Sequence, residues 1–150
     1  MNNVTLLILY GSQTGNAEYL SGQLHDMCRS QGVNSESINM SAYHPDKLAS
    51  VRNLALIVST HGVGEPPISA QPFYSSLLQS TQQLDQLNYA VLALGDTKYA
   101  QFCESGKDFD KAFSRLGASR IIPRVDCDID YETQAREWMN TLIANLKQST

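Results

Sequence analysis

The residues with chemistry to offer lie in three short stretches, each directly after an apolar run. Gly11-Ser12-Gln13-Thr14-Gly15-Asn16 follows Leu6 to Tyr10, and Ser59-Thr60-His61-Gly62-Val63-Gly64-Glu65 follows Leu54 to Val58. The third, Gly95-Asp96-Thr97-Lys98-Tyr99-Ala100-Gln101-Phe102-Cys103, follows Tyr89 to Leu94. In the first stretch, hydroxyl and amide side chains and backbone N–H groups sit at the mouth of a helical pattern. Such a place holds a phosphate through N–H groups and the positive end of the helix dipole, with no cation needed. No Lys-Ser/Thr pair follows Gly15, which excludes a P-loop, and the glycines do not form G-x-G-x-x-G, which excludes a Rossmann dinucleotide turn. A site without lysine suits a phosphate monoester on a tightly held cofactor better than a triphosphate to be cleaved. Strand, polar turn and helix are also ordinary α/β grammar, and such a stretch taken alone is more often a structural turn than a ligand site.

In the second stretch, Gly62 and Gly64 flank Val63, so the backbone can approach a flat ligand and reorient a peptide at little cost. Pro66 and Pro67 stiffen its exit. A rigid surface turn would read the same way. In the third stretch, Tyr99 is an aromatic residue in a polar turn and can stack on a ring system, a contact worth about 0.5–1.5 kcal/mol beyond area burial. Phe102 and Cys103 are read as packing beneath that turn. Only Lys98 and Lys107 are at hand to activate Cys103 as a thiolate. A phosphate cradle, a flexible glycine loop and a stacking tyrosine together describe a flat cofactor with one phosphate monoester. Flavin mononucleotide (FMN) has that shape.

These loops need strands to aim them. The three apolar runs read as parallel strands buried on both faces. Tyr19, Leu20, Leu24, Met27 and Cys28 recur at helical spacing, with Gly32 as a stop. Val33 to Met40 alternates like an edge strand, and Pro45 opens a short helical piece through Leu48 and Val51. A helix over 71–79 would turn Phe73, Leu77 and Leu78 inward. A helix over 105–116 would do the same with Phe109, Ala112, Phe113 and Leu116, and Gly117 would end it. Ile121 and Ile122 begin a last strand running to Val125; an acidic loop (Asp126, Asp128, Asp130) and a closing helix over 131–147 follow. The pattern predicts one α/β domain, residues 1–150. Its doubly wound, five-stranded parallel sheet has order 2-1-3-4-5 and helices on both faces. The strands starting at Thr5, Leu54 and Tyr89 are then neighbours. Their three loops meet beyond the carboxyl ends of the strands at the switch point, where ligands bind in such sheets.

Composition sets outer limits. No apolar run approaches the roughly 20 residues needed to span a bilayer, and no leader-like segment opens the chain, so a cytoplasmic location is expected. Three cysteines (Cys28, Cys103, Cys127) do not make a disulfide framework, and three histidines show no zinc-ligand spacing. A net charge of −4 without a basic stripe argues against nucleic-acid partners.

GSQTGNAEYL (11–20), STHGVGEPP (59–67), LGDTKYAQFCESGKDFD (94–110) and RVDCDIDY (124–131) with Glu137-Trp138 form an ordered set spanning nearly the whole chain. With these motifs the sequence resembles the flavodoxin family, and within it the FMN domains of the sulfite reductase flavoprotein and other diflavin reductases. The resemblance implies that Ser12, Gln13, Thr14, Gly15, Asn16 and Ala17 wrap the FMN phosphate. It implies that Ser59, Thr60, His61 and Gly62 line one side of the isoalloxazine. Leu94, Gly95, Asp96, Thr97, Lys98, Tyr99, Ala100, Gln101, Phe102 and Cys103 would line the other, with Tyr99 stacked on the ring. Asp128 matches an acidic position near the isoalloxazine or ribityl chain. Two positions depart from the pattern: His61 stands where many relatives place an aromatic cap, and Val63 where an acidic residue is common. Much of the family also carries FAD- and NADPH-binding domains, for which 150 residues leave no room. The Met1 start and the closing helix favour a free-standing carrier over an excised domain.

The function expected from this resemblance is the shuttling of single electrons between a reductase and an acceptor protein. Protonation at flavin N5 would be coupled to a peptide flip at His61-Gly62. Asp96, Asp126, Asp128, Asp130, Glu65 and Glu132 would form an acidic rim able to steer a basic redox partner. The alternative is an FMN-dependent NAD(P)H:quinone-type reductase acting directly on a small molecule. A signalling receiver domain shares the strand order. It needs an acidic pair after the first strand and a phosphoacceptor Asp after the third, where this chain has Gly11-Ser12 and Ser59-Thr60. If the flip operates, Gly62→Ala will change the separation of the two one-electron potentials in a spectroelectrochemical titration; an unchanged titration removes the flip.

Overall fold

The apolar runs become the centre of a parallel sheet. In the computed structural model, which describes residues 4–12, 15–60, 66–98 and 102–148, β1 (Leu6–Gly11), β3 (Asn53–Ser59) and β4 (Asn88–Leu94) lie side by side, with β2 (Ser35–Asn39) on the outer edge of β1. Leu9 of β1 pairs with Ile38 and Leu56, and Leu56 pairs with Val91 of β4. Beyond β4 come two short strands, β5 (Ser119–Arg120) and β6 (Val125–Cys127), both paired to it. The order is therefore 2-1-3-4-5, with the fifth position divided.

That division corrects the expectation of a single last strand beginning at Ile121-Ile122. β5 pairs with Asn88 and Tyr89 at the start of β4, and β6 with Leu92, Ala93 and Leu94 at its end. Ile121 still donates its N–H to the Tyr89 carbonyl at 2.7 Å, after which the chain bends out at 121–122. Pro123 has no N–H to give a ladder, so pairing resumes only at Val125.

Alternate residues of each central strand feed two separate cores, as the pleat requires. Leu6 and Ile8 of β1, Ala55 and Ile57 of β3, and Ala90 and Leu92 of β4 face one layer with Leu20, Leu24, Trp138 and Leu142. These last four belong to α1 (Asn16–Ser30) and α4 (Glu132–Gln148). Leu7, Leu9, Leu54, Leu56, Tyr89 and Val91 face the other layer with Phe73, Leu77, Phe109 and Phe113. Those come from α2 (Gln71–Gln79) and α3 (Glu104–Arg115). Fully burying a side chain of this size contributes about 1.5–3 kcal/mol. Against the sequence reading, Tyr19 and Leu78 turn outward, 51% and 48% exposed. Each is adjacent in the chain to a core leucine, and successive helical residues point about 100° apart. Leu20 takes the buried place in α1 and Leu77 takes it in α2. The piece expected from Pro45 is a 3₁₀ segment, Pro45–Ser50.

Cys103, Cys127 and Tyr89 are buried in this frame. Burial pushes the Cys103 thiol from 9.0 to about 12 and the Cys127 thiol to about 11. Burial, reinforced by a hydrogen bond to Asp110, lifts the Tyr89 hydroxyl from 10.0 to about 12. The folded state thus prefers the neutral form of all three, whereas the unfolded chain ionises them from about pH 9 upward. Their contribution to stability is complete below that pH and is lost as pH rises through the folded values. Urea midpoints should accordingly be level from pH 7 to about 9 and fall steadily between about 9 and 12.

Candidate functional site

Loops leave the carboxyl ends of β1, β3 and β4 at one end of the sheet. In the first, Gly15 caps α1 at φ 92°, a left-handed conformation that glycine adopts without strain, and a Cβ there would meet nothing within 4 Å. Having no side chain, Gly15 cannot cap the helix itself. Ser12 does so from three residues back: its Oγ accepts the N–H of Gly15 at 2.7 Å and of Ala17 at 3.3 Å. The N–H groups thus converge on a single oxygen beside open space, at the positive end of a 15-residue helix. Asn16 is held by the Tyr131 hydroxyl, 3.3 Å from its Oδ1. Gln13 and Thr14 lie outside the described residues.

The second loop is tied to the third and to α3. Ser59 ends β3 in register with Leu94, and the Thr60 N–H donates to the Leu94 carbonyl at 3.0 Å. The Thr60 hydroxyl accepts the Ser105 N–H at 3.2 Å. It therefore caps α3 from another element, since the N-cap residue Cys103 makes no side-chain cap. His61 and Gly62, with the proposed peptide flip, lie outside the described residues, as do Val63, Gly64 and Glu65.

The third loop is closed at its base. A Cβ on Gly95 would stand 2.9 Å from the Cys103 nitrogen and 3.0 Å from its sulfur, so only glycine lets the two ends approach. Cys103 adopts φ 54°, the one non-glycine residue with positive φ among the described residues. This backbone choice costs roughly 1–2 kcal/mol. The Gly95 N–H donates to the Cys127 carbonyl at 2.9 Å, and the Cys103 thiol lies 3.5 Å from the same oxygen. With its thiol buried and held neutral, Cys103 is a packing residue and not a nucleophile. Asp96 closes a turn by accepting the Lys98 N–H at 2.9 Å. Asp128 takes the Thr97 N–H at 3.1 Å and the Thr97 hydroxyl at 2.6 Å, and also the Ile129 N–H at 2.8 Å. These bonds to its charged form draw its carboxyl below the usual range. Phe102 follows as a half-buried residue, and Tyr99, Ala100 and Gln101 lie outside the described residues.

Of the expected acidic rim, Asp126 is withdrawn: its half-buried carboxylate is paired with Arg124 at 2.9 Å. Sequence reasoning missed Asp110, which is buried on α3 and bonded to Arg120, Arg124 and Tyr89. Its signal was an acidic residue between Phe109 and Ala112 on the apolar face of a helix, with two arginines following at 120 and 124. Among the described residues no cluster of three or more His, Cys, Asp or Glu is placed to hold a metal, and no helix is long and apolar enough to cross a membrane.

The donor set fits FMN. The neutral N–H groups gathered at Ser12 suit a phosphate monoester, and β3 and β4 end beside each other, Ser59 in register with Leu94. Comparison with known proteins agrees. The chain matches the Flavodoxin family profile over residues 8–138. It is 43% identical over 143 residues to the sulfite reductase [NADPH] flavoprotein alpha-component of Bacillus subtilis (strain 168), covering 95% of this chain and 24% of that one. The same-named protein of Thiocapsa roseopersicina is 39% identical over 142 residues, covering 94% of this chain and 27% of that one. Among solved structures, a Streptococcus pneumoniae TIGR4 flavodoxin superposes with a TM-score of 0.85 at 26% identity, covering 97% of this chain and 99% of that one. A cysteine-to-serine mutant of the flavodoxin from Pseudomonas aeruginosa gives 0.84 at 26%, covering 95% and 98%. The chain belongs to the flavodoxin family, and its cofactor is FMN. It spans about a quarter of the length of the curated relatives it matches.

Ser12→Ala removes the shared acceptor of the Gly15 and Ala17 N–H groups, a loss of about 0.5–2 kcal/mol in capping. FMN affinity, followed by fluorescence quenching on titration, should fall severalfold while the midpoint potential moves little.

Proposed function

We propose that residues 1–150 form one FMN-binding domain that carries electrons singly, in the cytoplasm, from a reductase to an acceptor protein. Bound FMN supplies the redox chemistry, accepting and releasing electrons one at a time. The chain's own residues bind, orient and insulate it. Ser12, Gln13, Thr14, Gly15, Asn16 and Ala17 take the phosphate. Ser59, Thr60, His61 and Gly62 would line one side of the ring. The residues from Leu94 to Cys103 would line the other, with Tyr99 stacking on it and Thr97 held in place by Asp128. The observation that supports the reading is the adjacency of β1, β3 and β4 in one parallel sheet, which starts three polar stretches at one edge, with the Gly15 and Ala17 N–H groups gathered on Ser12 at the start of α1.

Both a reductase donor and an acceptor enzyme are expected because nothing in the three loops forms a dinucleotide-binding turn. Three free, buried cysteines suit a reducing compartment. The test uses the purified chain: it should be yellow and release FMN, not FAD, on denaturation. With NADPH and a quinone it should remain oxidised until a flavoprotein reductase is added. A colourless protein that refuses added FMN overturns the reading. Direct NADPH-driven quinone reduction by the chain alone moves the function to a self-sufficient reductase.

A further inference from the structure

We propose that Arg124 is a positioning residue for the ring-side loop, locking β6 to α3 so that Cys127 and Asp128 hold Gly95 and Thr97 in place. The inference rests on the reading that the loop starting at Gly95 lines FMN. The ladder between β6 and β4 is only three residues long, Leu92 to Val125, Ala93 to Asp126 and Leu94 to Cys127. Yet that strand and the residue after it supply both anchors of the loop: the Cys127 carbonyl, 2.9 Å from the Gly95 N–H, and the Asp128 carboxylate, which binds Thr97 twice. So short a strand after a proline needs support from its side chains.

Arg124 provides that support. Its Nη1 donates to Asp110 Oδ2 on α3 at 2.6 Å, and its Nε donates to Asp126 Oδ1 on β6 at 2.9 Å. A planar guanidinium can serve two carboxylates at fixed angles, where a lysine ammonium is a single point charge. The Asp110 side chain is 4% exposed, so its charge is tolerable only because its partners are complete. The far side of this link is rigid. Gly106 leaves α3 directly against β4, for a Cβ there would run into Ala93. Tyr89 of β4 also donates its hydroxyl to Asp110. Arg120 binds the same carboxylate through Nε at 3.2 Å and Nη2 at 3.0 Å, but it contacts neither Asp126 nor the loop in this network. Two arginines thus share one buried acid, and only Arg124 passes the restraint on to β6.

That difference provides the experiment. Amide hydrogen exchange at Gly95 and Thr97 is measured by NMR in the full chain as purified, with β1 amides as the internal reference for global opening. FMN affinity is measured in parallel. Arg124→Ala should speed exchange at Gly95 and Thr97 about tenfold relative to β1 and weaken FMN by a similar factor, whereas Arg120→Ala should leave that ratio unchanged. If Arg124→Ala does not fold, Asp126→Asn, which keeps the Asp110 pairs, should give the same direction of change. Equal effects from the two arginine variants, or no local effect from Arg124→Ala and Asp126→Asn, overturn the proposal. A wild-type chain that binds no FMN defeats the cofactor reading instead, and the exchange comparison still decides whether Arg124 holds the loop.

Discussion

Burial of β1, β3 and β4 on both faces is the constraint from which the rest follows. Strands sealed from water must satisfy each N–H and C=O inside the sheet, so polar function can emerge only where they end. In a parallel sheet the three carboxyl ends lie at one edge, and the loops there share their hydrogen bonds. Thr60 bonds to Leu94, Ser105 to Thr60, and Gly95 to Cys127. The stretches after β3 and β4 are therefore bonded to each other and to their neighbours, while the stretch after β1 is held by its own Ser12 cap and by Tyr131.

The fold was legible because its strongest signals are the least ambiguous ones. Leu6 to Leu9, Leu54 to Val58 and Tyr89 to Leu94 are continuous apolar runs bounded by turn residues, and all are core. Where the signal was weaker, so was the reading. Ile121 and Ile122 have strand-like side chains, but Pro123 decides the backbone and divides the strand. Tyr19 and Leu78 are apolar enough for the core, yet the turn of each helix gives the inward place to a neighbour.

At the candidate site, the residue types at the ends of strands were legible in the sequence. Long-range partnership was not. Ser12 as a cap for Gly15 is nearly local, but Thr60 reaches Ser105 across 45 positions and Thr97 reaches Asp128 across 31. Nothing in a single sequence states such pairs. Asp126 shows the converse hazard: an acidic residue among exposed acids reads as rim, and only the position of Arg124 takes its charge out of that set. Asp110 likewise carries no mark of its partners in the sequence, although β4, β5 and the segment before β6 all bond to it.

The cation-free cradle at Ser12 and Gly15 has a consequence for how the protein responds to ionic strength. Its hydrogen bonds act at contact, about 3 Å, well inside the roughly 8 Å Debye length of physiological solution. The attraction between a chain of net charge −4 and a basic partner works over longer distances and is screened. On the proposed reading, the hold on the phosphate and the encounter with a partner would therefore answer differently to salt.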